Sequence, residues 1–339
     1  MNKIKLAYFG TPNFSAYFLE KLITDSSIKR LIEVKLVVAQ PDRPVGRKQI
    51  LTPSPVKLTA QKHNLKCLEI VDWDLIRNLK LEIRNLDLAL VYAFAKIIPK
   101  EILHLPKYGF WNIHPSLLPK YRGPSPIAYP LINGDAKTGV TIIKMDEQID
   151  HGPIIAQEEL KILPTDRRSD LESKLTDLAF EMFRKILTGV EKEGLQTPLR
   201  PSDSERQAAQ AGLPTEALAK VGGNLKQDPS KFNQQNHTQA TYTKLLKKSD
   251  GFISFENFKF QIKNSPEKLY DLFRGLYPWP GIWTLLRPAR GGTSEGQTPK
   301  RLKITDIDLK DGKIIIKKVQ LEGKKEVNFE TFNRAYKVF

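Results

Sequence analysis

Residues Phe110–Arg122 read FWNIHPSLLPKYR. An apolar run ends here in Asn112 and His114, whose side chains share one side of a strand because side-chain direction alternates with a period of two. Pro115 follows at once, then Ser116, Leu117, Leu118 and Pro119, a segment that cannot continue the strand and has to turn. The stretch therefore sets an amide and an imidazole together at a strand end. That is where open α/β sheets hold their ligands.

Upstream, the pattern supplies such a sheet. Lys3–Phe9 reads as an apolar strand broken by Gly10-Thr11-Pro12, and Phe14, Phe18, Leu19, Leu22 and Ile23 then form one helical stripe. Val34–Ala39 is the next strand, which completes a βαβ unit of a parallel sheet. The alternation continues through a helix at Val56–Asn64, a strand at Lys66–Ile70, a helix at Trp73–Leu79, a buried strand at Leu86–Tyr92 and a helix at Pro99–His104. This is a doubly wound, Rossmann-like α/β domain. The turn after the first strand, FGTPNF, has one glycine where a dinucleotide fingerprint has three, and no Walker sequence occurs, so neither a nicotinamide cofactor nor a nucleoside triphosphate is expected.

Downstream, a short helix is expected at Pro126–Leu131 and strands at Gly139–Met145 and Pro153–Gln157. The polar loop Asp146–Gly152 between those strands supplies Asp150 and His151. A long amphipathic helix over Asp170–Leu187 closes the domain. Residues 193–238 are rich in Gln, Ser, Ala and Gly without a sustained period, and read as an insertion with no assigned chemistry. Arg287–Lys300 reads as a glycine-rich hairpin loop. One helix at Pro266–Leu276 with strands at Ile282–Leu286, Leu302–Ile307, Lys313–Val319 and Val327–Phe329 points to a small OB-like β-barrel. The expected division is thus 1–192, a linker at 193–247, and 248–339.

The chain has 339 residues, 40% of them hydrophobic and 27% charged, which suits two soluble domains. Its longest clean apolar stretch, Leu88–Ala95, is far shorter than the ~20 residues that cross a bilayer, and the N-terminus lacks the features of a secretory signal. A cytoplasmic protein without a membrane partner is expected. Cys67 is the only cysteine, so no intrachain disulfide can form, and a small buried hydrophobe is its expected role. Net charge is +16, and from Thr241 onward Lys and Arg outnumber Asp and Glu nearly two to one. Such a basic third fits a polyanion, either nucleic acid or an acidic membrane surface; a merely solvated Lys-rich face would look the same.

Asn112, His114 and Asp150 form the candidate catalytic set. An imidazole moves protons near neutral pH, a carboxylate beside it fixes its tautomer, and an amide N–H can donate to a developing oxyanion. Those groups suit acyl transfer without a covalent intermediate, since no serine or cysteine lies in a recognisable nucleophile elbow. On spacing alone, His114 could instead end a strand and Asp150 make a turn. No metal is expected, because His104, His114 and His151 lack ligand spacing. A second candidate is the loop Gln40–Pro55, with Arg43, Arg47, Lys48 and four prolines in sixteen residues, a semi-rigid cationic projection at the ligand edge of the sheet. Trp279, in YPWPG, is expected to pack at a helix-to-strand corner, with base stacking the alternative.

Asn112–Ile127, NIHPSLLPKYRGPSPI, and Gly139–Ile155, GVTIIKMDEQIDHGPII, resemble the signature of the folate-dependent formyltransferases. QPDRPVGR and PSPVK in the basic loop, TYTKLLKKSDGFISF at Thr241–Phe255 and FRGLYPWPGIWT at Phe273–Thr284 resemble its tRNA-directed branch. The resemblance implies transfer of a formyl group from 10-formyltetrahydrofolate to the α-amino group of methionine carried by initiator tRNA, by a monomer. It further implies Asn112, His114 and Asp150 as the catalytic trio, Ser116–Pro119 as part of the folate site, and Arg43, Arg47 and Lys48 as contacts to the tRNA acceptor end. The chain departs from the family pattern at Phe94-Ala95, where Tyr-Gly is usual. A transferase acting on glycinamide ribonucleotide or an amino sugar would keep the trio without the basic surfaces. A non-catalytic RNA-binding protein on this scaffold would keep the surfaces without needing the trio.

Overall fold

A computed structural model describes residues 3–46, 48–71, 76–193, 233–286 and 299–338. In chain order the first elements are β1 (Ile4–Gly10), α1 (Asn13–Thr24), α2 (Ser26–Lys29), β2 (Ile32–Ala39), β3 (Arg43–Val45), β4 (Ile50–Thr52), α3 (Pro55–Lys62), β5 (Cys67–Glu69), α4 (Ile76–Arg84), β6 (Leu88–Tyr92), α5 (Lys100–Leu103) and β7 (Phe110–His114). Then follow α6 (Ala128–Ile132), β8 (Lys137–Lys144), β9 (Ile154–Lys161) and α7 (Arg168–Glu193). The expected elements of this region are all present. The helix expected at 73–79 is described from Ile76 and runs on to Arg84.

Seven strands form one sheet in the order β5-β2-β1-β6-β7-β8-β9. β1 pairs in parallel with β2 and β6, β6 in parallel with β7, and β7 antiparallel with β8. Chain direction across the sheet reverses between β1 and β6, the switch point outside whose carboxyl ends doubly wound folds bind ligands. β6 is buried throughout, as a central strand covered on both faces must be. One face carries Ala7, Phe9, Val38, Ala89, Val91 and Phe110 against Leu79 and Ile83 of α4. On the other face Phe18 of α1 lies against Tyr8, Tyr92, Phe180 and Phe183 at centroid distances of 5.5–6.3 Å.

The departure at Phe94-Ala95 has a clear local setting. Phe94 is buried, edge-on to Phe9 at 5.4 Å, so a tyrosine hydroxyl there would need a partner inside the core. Ala95 has φ +60°, a left-handed conformation that glycine adopts most cheaply.

The chain separates into two compact units that interleave along the sequence, where a linear division was expected. The first comprises Met1–His114, Val140–Glu158 and Thr176–Gln239; the second comprises Pro115–Gly139, Glu159–Leu175 and Ala240–Phe339. In the second lie α8 (Phe255–Asn264), α9 (Pro266–Leu276), β10 (Ile282–Leu286), β11 (Lys300–Lys310), β12 (Lys313–Leu321), β13 (Glu326–Asn328) and α10 (Phe329–Tyr336). The four strands make an antiparallel sheet in sequence order, consistent with the expected C-terminal β domain. Two of its helices, α8 and α10, were not expected. Ser254 and Asn328 start them, each accepting a backbone N–H two or three residues on, and Phe258 and Phe332 bury their apolar faces with Phe273, Ile282 and Ile304. Residues 194–232 and 287–298, most of the two expected insertions, lie outside the described residues.

The segment after Pro119 is stitched to the TYT sequence at Thr241–Thr243 inside the second unit. Arg122 N–H donates to Thr241 O at 2.8 Å, Thr243 N–H returns to Arg122 O at 2.7 Å, and the two threonine hydroxyls accept from the N–H groups of Tyr121 and Ser125 at 2.8 and 3.0 Å.

Candidate active site

β7 delivers Asn112 and His114 on one side of the strand, two residues apart, at the carboxyl end of the sheet. Asp150 comes from the loop between β8 and β9. Asn112 Nδ2 donates to Asp150 Oδ1 at 3.0 Å, and His114 Nδ1 lies 3.4 Å from the same oxygen. The three residues expected to act together are therefore assembled around one carboxylate oxygen. His114 is only 4% exposed. Its Nδ1 edge faces Asp150, a carboxylate that can orient an imidazole for proton transfer. An amide nitrogen carries two N–H groups, and with one of Asn112's on Asp150 the other can address an oxyanion.

The loop holding Asp150 is shaped by several contacts that sequence patterning did not reveal. Asp150 itself has φ +51°. Gly152 crosses the backbone of Lys144 so closely that a Cβ would meet Lys144 O at 1.8 Å, so only glycine fits there. His151 Nδ1 meets Asp146 Oδ2 at 2.6 Å and its ring stacks on His237 at 3.9 Å with 3° between planes. Gln235 donates from Nε2 to Asp150 O at 2.9 Å and to Gly152 O at 2.8 Å. Gln235 and His237 belong to the segment assigned no chemistry.

Ser116–Pro119 begins the second unit. Ser116 is fully buried and its hydroxyl donates to Lys120 O at 2.7 Å, while the N–H of Lys120 closes a turn onto Leu117 O at 3.0 Å. Leu118 is buried and Leu117 lines a cavity of ≈ 380 Å³ with Lys120, Tyr121, Asp135, Lys137 and Thr138. Burial and the Asp135 carboxylate push the Tyr121 phenol up to about 12, and its O–H donates to Asp135 Oδ2 at 2.6 Å.

The cationic projection is a small hairpin of β3 and β4. Arg43 and Lys48 are exposed on it, and Arg47 lies outside the described residues. Its base is tied down. Arg43 donates to Gln40 Oε1, buried Gln40 donates from Nε2 to Phe94 O and Ala95 O at 2.8 and 3.0 Å, and Thr11 Oγ1 donates to Phe94 O at 3.2 Å. Lys57 bridges Asp42, at 2.8 Å, and Glu69. The carboxyl ends of β1, β2 and β6 are thereby cross-linked by Thr11 and Gln40, neither of which was assigned a role of its own from the sequence. Burial pushes the Cys67 thiol on neighbouring β5 up to about 11, and the residue, expected to be buried, is half-buried. Trp279, expected to be packed, is 53% exposed. Among the described residues no helix is long and apolar enough to cross a membrane.

The formyl transferase family matches residues 3–187. A methionyl-tRNA formyltransferase of Caldicellulosiruptor saccharolyticus is 34% identical over 98% of this chain and 97% of its own, and that of Thermotoga maritima is 33% identical over 96% and 93%. Among solved structures, the N-formyltransferase of Helicobacter canadensis, in complex with folinic acid and dTDP-3-aminofucose, covers 88% of this chain and 95% of its own with a TM-score of 0.53 at 17% identity, a likeness of fold. Matched over more than half its length by the family and over nearly all of it by these relatives, the chain belongs to the formyltransferases, among the methionyl-tRNA formyltransferases.

Proposed function

We propose that the trio on β7 and the β8–β9 loop transfers the formyl group of 10-formyltetrahydrofolate to the α-amino group of methionyl initiator tRNA, at the start of translation. The observation that carries the mechanism is the convergence of Asn112 and His114 on Asp150 Oδ1. The folate supplies an electrophilic formyl carbon and a nitrogen that can leave.

The residues of this chain do the rest. An α-amino group with an unperturbed pKa of about 8 is partly neutral at pH 7 and attacks the formyl carbon directly. As the C–N bond forms, the carbonyl oxygen gains charge, and the second N–H of Asn112 donates to it. His114 takes the proton released by the amine and returns one to the folate nitrogen as its bond to the formyl carbon breaks. The products are a formamide and tetrahydrofolate. Asp150 orients the ring through Nδ1 and holds Asn112 at the same oxygen, so a single carboxylate positions both groups. Ser116–Pro119 contribute to the folate site. Arg43, Arg47 and Lys48 receive the tRNA acceptor end, whose phosphates position it without specifying sequence. The enzyme acts as a monomer in the cytoplasm, and initiator identity is read at the unpaired acceptor end.

The test is turnover of 10-formyltetrahydrofolate with charged initiator tRNA, charged elongator tRNA and a small amine. Initiator tRNA should be used in strong preference to both. His114→Ala and Asn112→Ala should each lower kcat by about 10²-fold or more. Equal use of a small amine would remove the tRNA reading, and an active His114→Ala would remove the mechanism.

A further inference from the structure

The sequence treats residues 193–238 as an insertion, yet its far end returns to the catalytic loop. Ile154 at the start of β9 donates its N–H to Asn233 O at 2.9 Å, an antiparallel bridge that sets this segment beside the loop. Two residues on, the Gln235 side chain is 5% exposed and its one amide nitrogen donates to two carbonyls, Asp150 O and Gly152 O. Two residues beyond that, the His237 ring lies flat on His151. Positions 233, 235 and 237 thus grip the loop at Ile154, on both sides of His151, and on its ring.

The two carbonyls held by Gln235 bracket the turn that points the Asp150 carboxylate. Asp150 carries φ +51°, a left-handed conformation that persists where the surroundings hold it. Gly152 is locked against Lys144 on the far side of that turn. With Gly152 fixed, a hydrogen bond on each flanking carbonyl leaves Asp150 little room to rotate. Its Oδ1 then stays within reach of Asn112 Nδ2 and His114 Nδ1.

We infer that Gln235 is a positioning residue for the transfer reaction: its amide clamps the backbone on both sides of His151 and so aims the Asp150 carboxylate at Asn112 and His114. The inference rests on the reading of Asp150 as part of the catalytic trio. A carboxylate displaced by about 1 Å can cost on the order of 10²-fold in rate, and the chain contacts that place it act on turnover more than on binding.

A double-mutant cycle tests it. Gln235→Met keeps the side-chain length and removes the donor. It should lower kcat by about 10- to 100-fold with KM for folate and for tRNA changed by less than about 2-fold. Asp150→Asn should lower kcat at least as much, and adding Gln235→Met to Asp150→Asn should change kcat by less than about 2-fold, because the carboxylate being aimed is already gone. Gln235→Ala, which leaves room for a water on the two carbonyls, serves as second variant if the Met chain does not fold by circular dichroism. The inference is overturned if Gln235→Met retains wild-type kcat, if its loss lies in KM, or if the same loss recurs in the Asp150→Asn background. An Asp150→Asn enzyme with full kcat would instead remove the trio reading, whatever Gln235 does.

Discussion

Ala95 sits at φ +60° with Gln40 Nε2 bonded to its carbonyl, so its conformation is set by the cross-link between strand ends and not by its own preference. A left-handed backbone costs a residue with a Cβ about 1–2 kcal/mol. Glycine would relieve that cost and give back roughly 0.4–1 kcal/mol through the greater freedom of the unfolded chain. Ala95→Gly should therefore raise stability by about 0.5–1 kcal/mol, seen as a higher urea midpoint at unchanged slope. A lower midpoint would mean that the Ala95 methyl packs better than the geometry indicates. At this scale the sequence was legible where residues share an element. Asn112 and His114 belong together because a strand alternates with period two. Gln235 escaped notice because its contacts run 85 and 83 positions to backbone carbonyls, and a donor to a backbone leaves no pattern in the sequence it serves. The bonds of Thr11 and Gln40 to the Phe94 and Ala95 carbonyls escaped for the same reason, although both residues lie in stretches the sequence singled out.

Among the elements, the hairpin of β3 and β4 combines two roles that mutation can separate. Lys48 is exposed, whereas Arg43 also bonds Gln40 and through it the carboxyl end of β6. Lys48→Ala should raise KM for tRNA severalfold while leaving KM for folate and thermal stability as they are. Arg43→Ala should raise KM for tRNA and in addition lower the melting temperature, since Gln40 Oε1 loses its donor. If both variants lose folate affinity in parallel, the hairpin supports the sheet edge and not the acceptor end. The doubly wound sheet was readable because its strands are long apolar runs separated by turn residues. The first of the two unexpected C-terminal helices, α8, was not, because FENFKFQIKN places phenylalanines at 255, 258 and 260, a spacing that mixes helical and alternating periods. Capping by Ser254 and burial of Phe258 decide for the helix.

For the whole molecule, a net charge of +16 makes the encounter with a polyanion strongly dependent on ionic strength. Every phosphate neutralised releases counterions, so kcat/KM with charged tRNA should fall by about 10-fold or more between about 50 and 200 mM salt. Turnover with a small amine, however slow, should change little over that range. A flat response with tRNA would indicate that the basic surfaces are solvated faces without a partner.

The pairing of Arg122 with Thr241 and Thr243 has a consequence for how the chain is made. During synthesis the ribosome releases the residues around Arg122 long before their partners at Thr241–Thr243 exist, and the same delay separates Asp150 from Gln235. Neither the stretch that follows His114 nor the loop that carries Asp150 can reach its final form until roughly a hundred further residues have emerged. A nascent chain stopped at residue 192 should therefore remain sensitive to protease around 115–125 and 146–152, and a chain extended past residue 245 should become resistant at both places together. The late segment thus sets the moment at which catalytic competence arrives.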